Sequence, residues 1–289
     1  MHRYSYYKTA ACTLNVSIGD PQANKEEILK CIQELDSDTQ LVVFPELCVT
    51  GYTCQDLFYE HTLLNRAKQV LFEIVEELPE NLVTVLGLPL EIENKLYNCA
   101  AICFNHDILG IQVKTYIPSY NEFYETRWFS SASELKENTT FTYKDKKVPV
   151  SNHIVFKDTT TSACLGIEIC EDLWVTIPVS STHALAGANV LCNLSASNEI
   201  ISKANYRRNL VKDQSAKCYA GYVYASAGPA ESSSDLVFSG HNLICENGAI
   251  LSETKTDKII YGQIDLDHLN HDRLHYKTSM QDLFHVNYT

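Results

Sequence analysis

Short apolar runs rich in β-branched and aromatic side chains recur along the chain, and segments with helical spacing of apolar positions separate several of them. The first strand is predicted over residues 8–14. Asp20-Pro21 then reads as an N-cap with proline in the first helical turn, where a missing N–H leaves no bond unmade, and this helix runs to about Leu35. A strand over 41–44 precedes a long helix over 55–78 and a strand over 82–86. Runs over 97–104 and 108–114 flank Asn105-His106-Asp107, which has hairpin-turn chemistry. Further strands fall over 153–156, 162–169, 190–194 and 219–226, the last two separated by a helix over 202–217. A terminal meander is predicted over 241–245, 249–252 and 258–264. The stretch 130–150 has little periodicity and reads as an exposed loop or a marginal hairpin. Strand–helix–strand units at both ends, with hairpins between, give an α/β chain of mixed sheets covered by helices. No repeat or linker divides it, so one domain over 1–289 is expected.

Composition narrows the function. With 289 residues, 45% of them hydrophobic and 20% charged, the chain is long enough to bury a substantial core and unlike a disordered one. Its 36 acidic against 23 basic side chains give a net charge of −13, the wrong balance for gripping a phosphate backbone, so no nucleic acid partner is expected. No run approaches the roughly 18–20 apolar residues of a membrane span, and the N-terminal MHRYSYYKTAACTL lacks a secretory pattern. Eleven cysteines form no C-x-x-C pair and sit in strings such as AICF and VLCN. They read as buried free thiols of a reduced, cytoplasmic protein. His268, His271 and His275 have helical i, i+3, i+7 spacing, but no cysteine or carboxylate is clearly recruited to complete a zinc set, so they read as a solvated helix and no metal is expected. Gly240 and Gly248 are isolated turn glycines without a phosphate cradle around them, so no nucleotide site is expected either.

Three segments set a reactive side chain at the end of an apolar strand, where α/β proteins commonly carry functional groups. In LVVFPELCVTGY, Pro45 ends ladder pairing and Glu46 follows it. In ILGIQVKTYIPSYNEFYETRWF, Lys114 ends a strand and enters an aromatic-rich loop that would dehydrate its ammonium and strengthen its field. In ACLGIEICEDLW, Cys170 stands at a strand-to-helix turn whose backbone N–H groups can also serve an oxyanion. Each segment alone also fits a solvated carboxylate, a surface lysine or an inert buried thiol.

Taken together, and in the order Glu, Lys, Cys, they match a known constellation. The chain resembles the nitrilase (carbon–nitrogen hydrolase) superfamily, and within it the glutaminase domain of glutamine-dependent NAD synthetases. The resemblance is carried by F-P-E-L at 44–47 with Gly51-Tyr52, by Lys114 with Y-N-E-F-Y-E-x-R-W-F at 120–129, by G-I-E-I-C-E-D-L-W at 166–174, and by N-L-S-A-S at 193–197. It implies a four-layer αββα sandwich that associates at least as a dimer. It also implies Cys170 as nucleophile, Glu46 as proton shuttle, Lys114 as oxyanion stabiliser and Glu125 as the group that holds the constellation. For the amino-acid end of L-glutamine it implies Tyr52, Tyr120, Phe123, Glu171, Ser197 and Lys203, the last replacing an arginine fork by a point charge. The ammonia would supply NAD synthesis in a synthetase domain with an S-G-G-x-D-S loop. That loop is absent from these residues, so ATP and magnesium would belong to that missing domain and no cofactor to this chain. Hydrolysis of another small ω-amide, or a catalytically idle assembly domain, are the alternatives.

Overall fold

The computed structural model describes residues 5–276 and 283–289. The chain runs β1 (Tyr6–Cys12), α1 (Pro21–Gln33), β2 (Leu41–Val43), α2 (His61–Glu77), β3 (Val83–Ile92), β4 (Lys95–Phe104), β5 (Asp107–Val113), β6 (Thr140–Tyr143), β7 (Lys146–Ser151), β8 (Ile154–Asp158) and β9 (Cys164–Ile169). It continues with α3 (Val179–Leu185), β10 (Val190–Ser195), α4 (Lys203–Cys218), β11 (Gly221–Ser226), β12 (Asn242–Glu246), β13 (Ala249–Thr254), β14 (Ile259–Asp265), α5 (Leu266–Tyr276) and β15 (Phe284–Tyr288). One sheet has the order β14-β1-β2-β3-β4-β5-β7-β6 and the other β13-β12-β11-β10-β9-β8-β15.

Side-chain alternation dictates how they stack. Leu41 and Val43 of β2 join Leu165, Ile167 and Ile169 of β9 in one apolar layer between the sheets. Val42 points the other way, into a cluster with Ala67, Val70, Leu71 and Ile74 of α2. The second sheet turns Leu191, Tyr222 and Leu243 toward Ala184 of α3 and Val211 of α4. Helices, sheet, sheet and helices therefore form the expected αββα sandwich.

Local signals read well. The Asp20 carboxylate caps α1, accepting the Ala23 N–H at 3.1 Å with Pro21 in the first turn. Asn105 and His106 adopt left-handed φ values of 46° and 59°, as a tight hairpin requires. All eleven cysteines are buried and unpaired. No described helix is long and apolar enough to cross a membrane.

Three expectations are corrected, and one stated alternative is decided. The helix predicted over 55–78 is a 3-10 segment, Tyr52–Tyr59, followed by α2; extended Glu60 separates them, and Gln55 takes a φ of 51°. The strand predicted over 82–86 continues to Ile92 despite Pro89. By then β3 has run past the three-residue β2, so the missing proline N–H breaks no ladder bond on that side. Of the two readings of the stretch 130–150, the hairpin is the one present, as β6–β7. The terminal meander divides: β12 pairs with β13, whereas β14 crosses to the first sheet and pairs antiparallel with β1.

Candidate active site

The chain leaves β2 through Phe44 and Pro45 to reach Glu46, leaves β5 directly into Lys114, and leaves β9 directly into Cys170. Sheet packing brings these three ends to one place. The Glu46 turn depends on a neighbour with no side chain: a Cβ on Gly87 would stand 2.4 Å from the Leu47 nitrogen and 2.6 Å from the Pro45 oxygen. Only glycine lets β3 pass this closely.

Lys114 Nζ donates to Glu46 Oε1 at 2.6 Å and to the Glu125 oxygens at 2.9 and 2.8 Å. Glu46 also accepts the Asn98 side-chain amide at 2.7 Å and the Ala196 N–H at 2.9 Å, and Glu125 accepts the Tyr52 hydroxyl at 2.8 Å. Glu46 and Lys114 are 0% exposed and Glu125 is 2% exposed, so water does not screen this cluster. Burial alone would push the Lys114 ammonium to lose its proton; Glu125 and Glu46 outweigh it and hold the group charged. Burial raises the Glu125 carboxyl, against the pull of Lys114.

Cys170 is buried and has a φ of 44°, a strained value for a residue with a Cβ. Burial, then Glu46, hold its thiol well above the ordinary range, while Lys114 and the Ala196 N–H pull it down. The sulfur thus lies within electrostatic reach of a carboxylate and an ammonium that act on it in opposite directions.

The remaining residues singled out in the sequence surround this cluster. The half-exposed Tyr120 donates its hydroxyl to both Glu171 oxygens at 3.0 and 2.9 Å. The Lys203 ammonium lies 5.4 Å over the Phe123 ring and 5.1 Å over Trp174, and bonds the Asn198 side-chain oxygen. Ser197 does not join Lys203; its hydroxyl accepts from Arg207 at 3.0 and 3.3 Å. Arg127 and Trp128 anchor the aromatic loop by donating to Asp56 at 2.7, 2.9 and 2.9 Å. A cavity lined by Tyr52, Glu122, Phe123, Glu125 and Leu236 abuts the cluster. A larger groove, lined by Val150, Ile177, Val179 and Phe284, contains none of the reactive groups.

Several supporting residues were not read from the sequence. Asn98 lies within the β4 run, where a polar residue in an apolar strand was the available signal. Arg207 is fully buried in α4, one turn after Lys203, and also bonds the Asn198 carbonyl and His241 at 2.8 Å. Buried Glu231 accepts the Tyr52 N–H at 3.0 Å from a serine-rich loop that carries no motif.

Comparison with known proteins agrees with this fold. The glutamine-dependent NAD(+) synthetase of Mycobacterium tuberculosis is 38% identical over 257 residues, which span 88% of this chain and 38% of that one. The crystal structure of a glutamine-dependent NAD(+) synthetase from Cytophaga hutchinsonii superposes with a TM-score of 0.77 at 29% identity, covering 90% of this chain and 43% of that one. The chain therefore spans less than half the length of these relatives. Nit3 of Saccharomyces cerevisiae, a nitrilase-superfamily member at 20% identity, shares the fold over 96% of both chains with a TM-score of 0.72. The carbon–nitrogen hydrolase family matches residues 8–273. A buried Glu–Lys–Glu cluster beside a strand-end cysteine, on an αββα frame matched nearly end to end, makes this chain a member of the carbon–nitrogen hydrolase family.

Proposed function

We propose that the chain hydrolyses the side-chain amide of L-glutamine to glutamate and ammonia through a thioester on Cys170. An amide is a weak electrophile, so the reaction needs a strong nucleophile, a proton shuttle and a fixed charge for the oxyanion. Cys170 Sγ attacks the amide carbon while Glu46 takes the thiol proton. Lys114 Nζ and the backbone N–H after Cys170 receive the charge that develops on the amide oxygen. The tetrahedral intermediate collapses as Glu46 passes its proton to the departing nitrogen, releasing ammonia and leaving the γ-glutamyl thioester. Glu46 then takes a proton from water, the hydroxide attacks the thioester carbon, and the thiolate leaves and recovers that proton. Glu125 holds Lys114 in place.

The observation that carries this reading is the buried Lys114 ammonium held 2.6 Å from Glu46 and 2.8 Å from Glu125, at the strand ends where Cys170 also stands. The steps call on no cofactor within the chain; ATP and magnesium would serve NAD synthesis in a synthetase partner that consumes the ammonia in the cytoplasm. The half-buried Glu171, with Tyr120 bonded to it, suits the substrate ammonium; Lys203 suits its carboxylate, with Ser197, held by Arg207, as a separate contact for it.

Leaving a charged group unpaired in such a site is costly. Glu171→Ala and Lys203→Ala should therefore each lower kcat/KM for glutamine at least tenfold, with a simple aliphatic amide changed less than threefold, as measured by ammonia release. If the wild type hydrolyses simple aliphatic amides as well as it does glutamine, the chain is a general amidase.

A further inference from the structure

Asp172 lies two residues beyond the proposed nucleophile, is 0% exposed, and has no part in the steps above. Its Oδ1 accepts the backbone N–H groups of Thr115 at 3.0 Å and Tyr116 at 2.9 Å. Its Oδ2 accepts the N–H of Ile169 at 3.1 Å. Thr115 follows Lys114 in the chain and Ile169 precedes Cys170. One planar group therefore ties the backbone carrying the ammonium, in the first sheet, to the backbone carrying the sulfur, in the second. Among the described residues, no other side chain hydrogen-bonds to backbone beside both groups.

We infer that Asp172 is a positioning residue that sets the separation of Lys114 Nζ from Cys170 Sγ. Two features of the site demand such a device. Lys114 and Cys170 each follow the last residue of a strand; the Lys114 backbone keeps bonds to the Asn98 carbonyl at 2.9 Å and the Ala132 N–H at 3.0 Å, but neither of these reaches the strand that carries Cys170. Cys170 also holds a φ of 44°, a conformation that persists only where the surroundings over-determine it. The Ile169 N–H bond fixes the turn from its N-terminal side, and the Thr115 and Tyr116 bonds lock that turn to the lysine. An oxyanion donor acts only from the correct position, so a shift of a fraction of an ångström is felt in the chemical step more than in binding. The inference rests on the glutaminase reading for the identity of the reacting pair.

The test compares wild type with Asp172→Asn, whose amide presents N–H groups where one oxygen accepts. Turnover of glutamine is measured per folded molecule, and the rate of Cys170 alkylation by iodoacetamide is followed by peptide mass mapping. The inference expects kcat to fall at least a hundredfold with KM changed less than threefold, and alkylation of Cys170 to slow at least tenfold. A variant that melts earlier but keeps kcat and alkylation rate within threefold of wild type would make Asp172 a structural residue only and overturn the inference. Should Asp172→Asn not fold, Asp172→Glu decides: it keeps the carboxyl group and both oxygens but displaces them by one methylene. A tenfold or greater loss of kcat and alkylation rate then supports the inference, and wild-type values overturn it. Iodoacetamide does not depend on glutamine. A wild type inert toward glutamine, whose Cys170 is nonetheless alkylated faster than the variant's, would remove the substrate assignment while leaving Asp172 in its role.

Discussion

Replacing Cys170 by alanine should abolish glutamine hydrolysis, lowering turnover by more than about 10⁴-fold, because nucleophile removal disables covalent catalysis as a unit. The fold should survive. The change deletes one sulfur at a site with 7% exposure and leaves the Lys114 cluster paired, so stability should move by about 1 kcal/mol or less. Cys192→Ala supplies the control, since Cys192 is another buried thiol, in β10, whose burial likewise pushes it far above the ordinary range. Circular dichroism, denaturant unfolding and ammonia release distinguish the two. Only the Cys170 variant should lose activity with its fold intact.

Lys114→Ala should damage both activity and stability, for one electrostatic reason. The lysine ammonium is the counter-charge for Glu46 at 2.6 Å and Glu125 at 2.8 Å, and all three side chains are buried. Removing one partner of a buried ion pair costs about 3–5 kcal/mol, because the remaining charge has neither water nor counter-ion. Two carboxylates left facing each other would take up a proton, so their folded-state pKa values would rise above the unfolded ones. The folded variant then binds more protons than the unfolded chain, and its stability increases as pH falls. Its deficit relative to wild type should be largest near neutral pH and shrink toward about pH 5, read from urea midpoints. Hydrolysis should fall by at least about 10²–10³-fold, the usual cost of one oxyanion donor. Activity within tenfold of wild type, a barrier change of only about 1.4 kcal/mol, would remove Lys114 from the proposed role.

What the sequence disclosed followed from the range over which each signal acts. Strand runs, the Asp20-Pro21 start of α1 and the Asn105-His106 turn depend on neighbouring residues, and the structure has them. Glu46, Lys114 and Cys170 were legible because each ends an apolar strand, and strand ends converge on one edge of an α/β frame. The crossing of β14 to the first sheet was not legible, since Ile260 and Ile264 are apolar in either sheet and only pairing with β1 decides between them. The unbroken apolar pattern through Leu57, Phe58 and Leu63 concealed the Gln55 reversal in the same way. Glu231 and Asp172 act on backbone N–H groups far away in the chain, 179 and 57 residues distant, and such bonds leave no spacing pattern behind. Gly87 is needed because a different strand's turn lies against it, which no local turn signal records.

Hydrolysis by the proposed route requires the amide carbon of glutamine to become bonded to Cys170, and covalent trapping detects that bond. The wild-type chain is incubated with a glutamine-mimicking electrophile, weighed intact, and digested for peptide mapping. The account expects a single added label, on the peptide carrying Cys170, with free glutamine slowing the labelling and Cys170→Ala remaining unlabelled. A label confined to any of the other ten cysteines, or ammonia release from glutamine that persists after Cys170 is fully blocked, would contradict it.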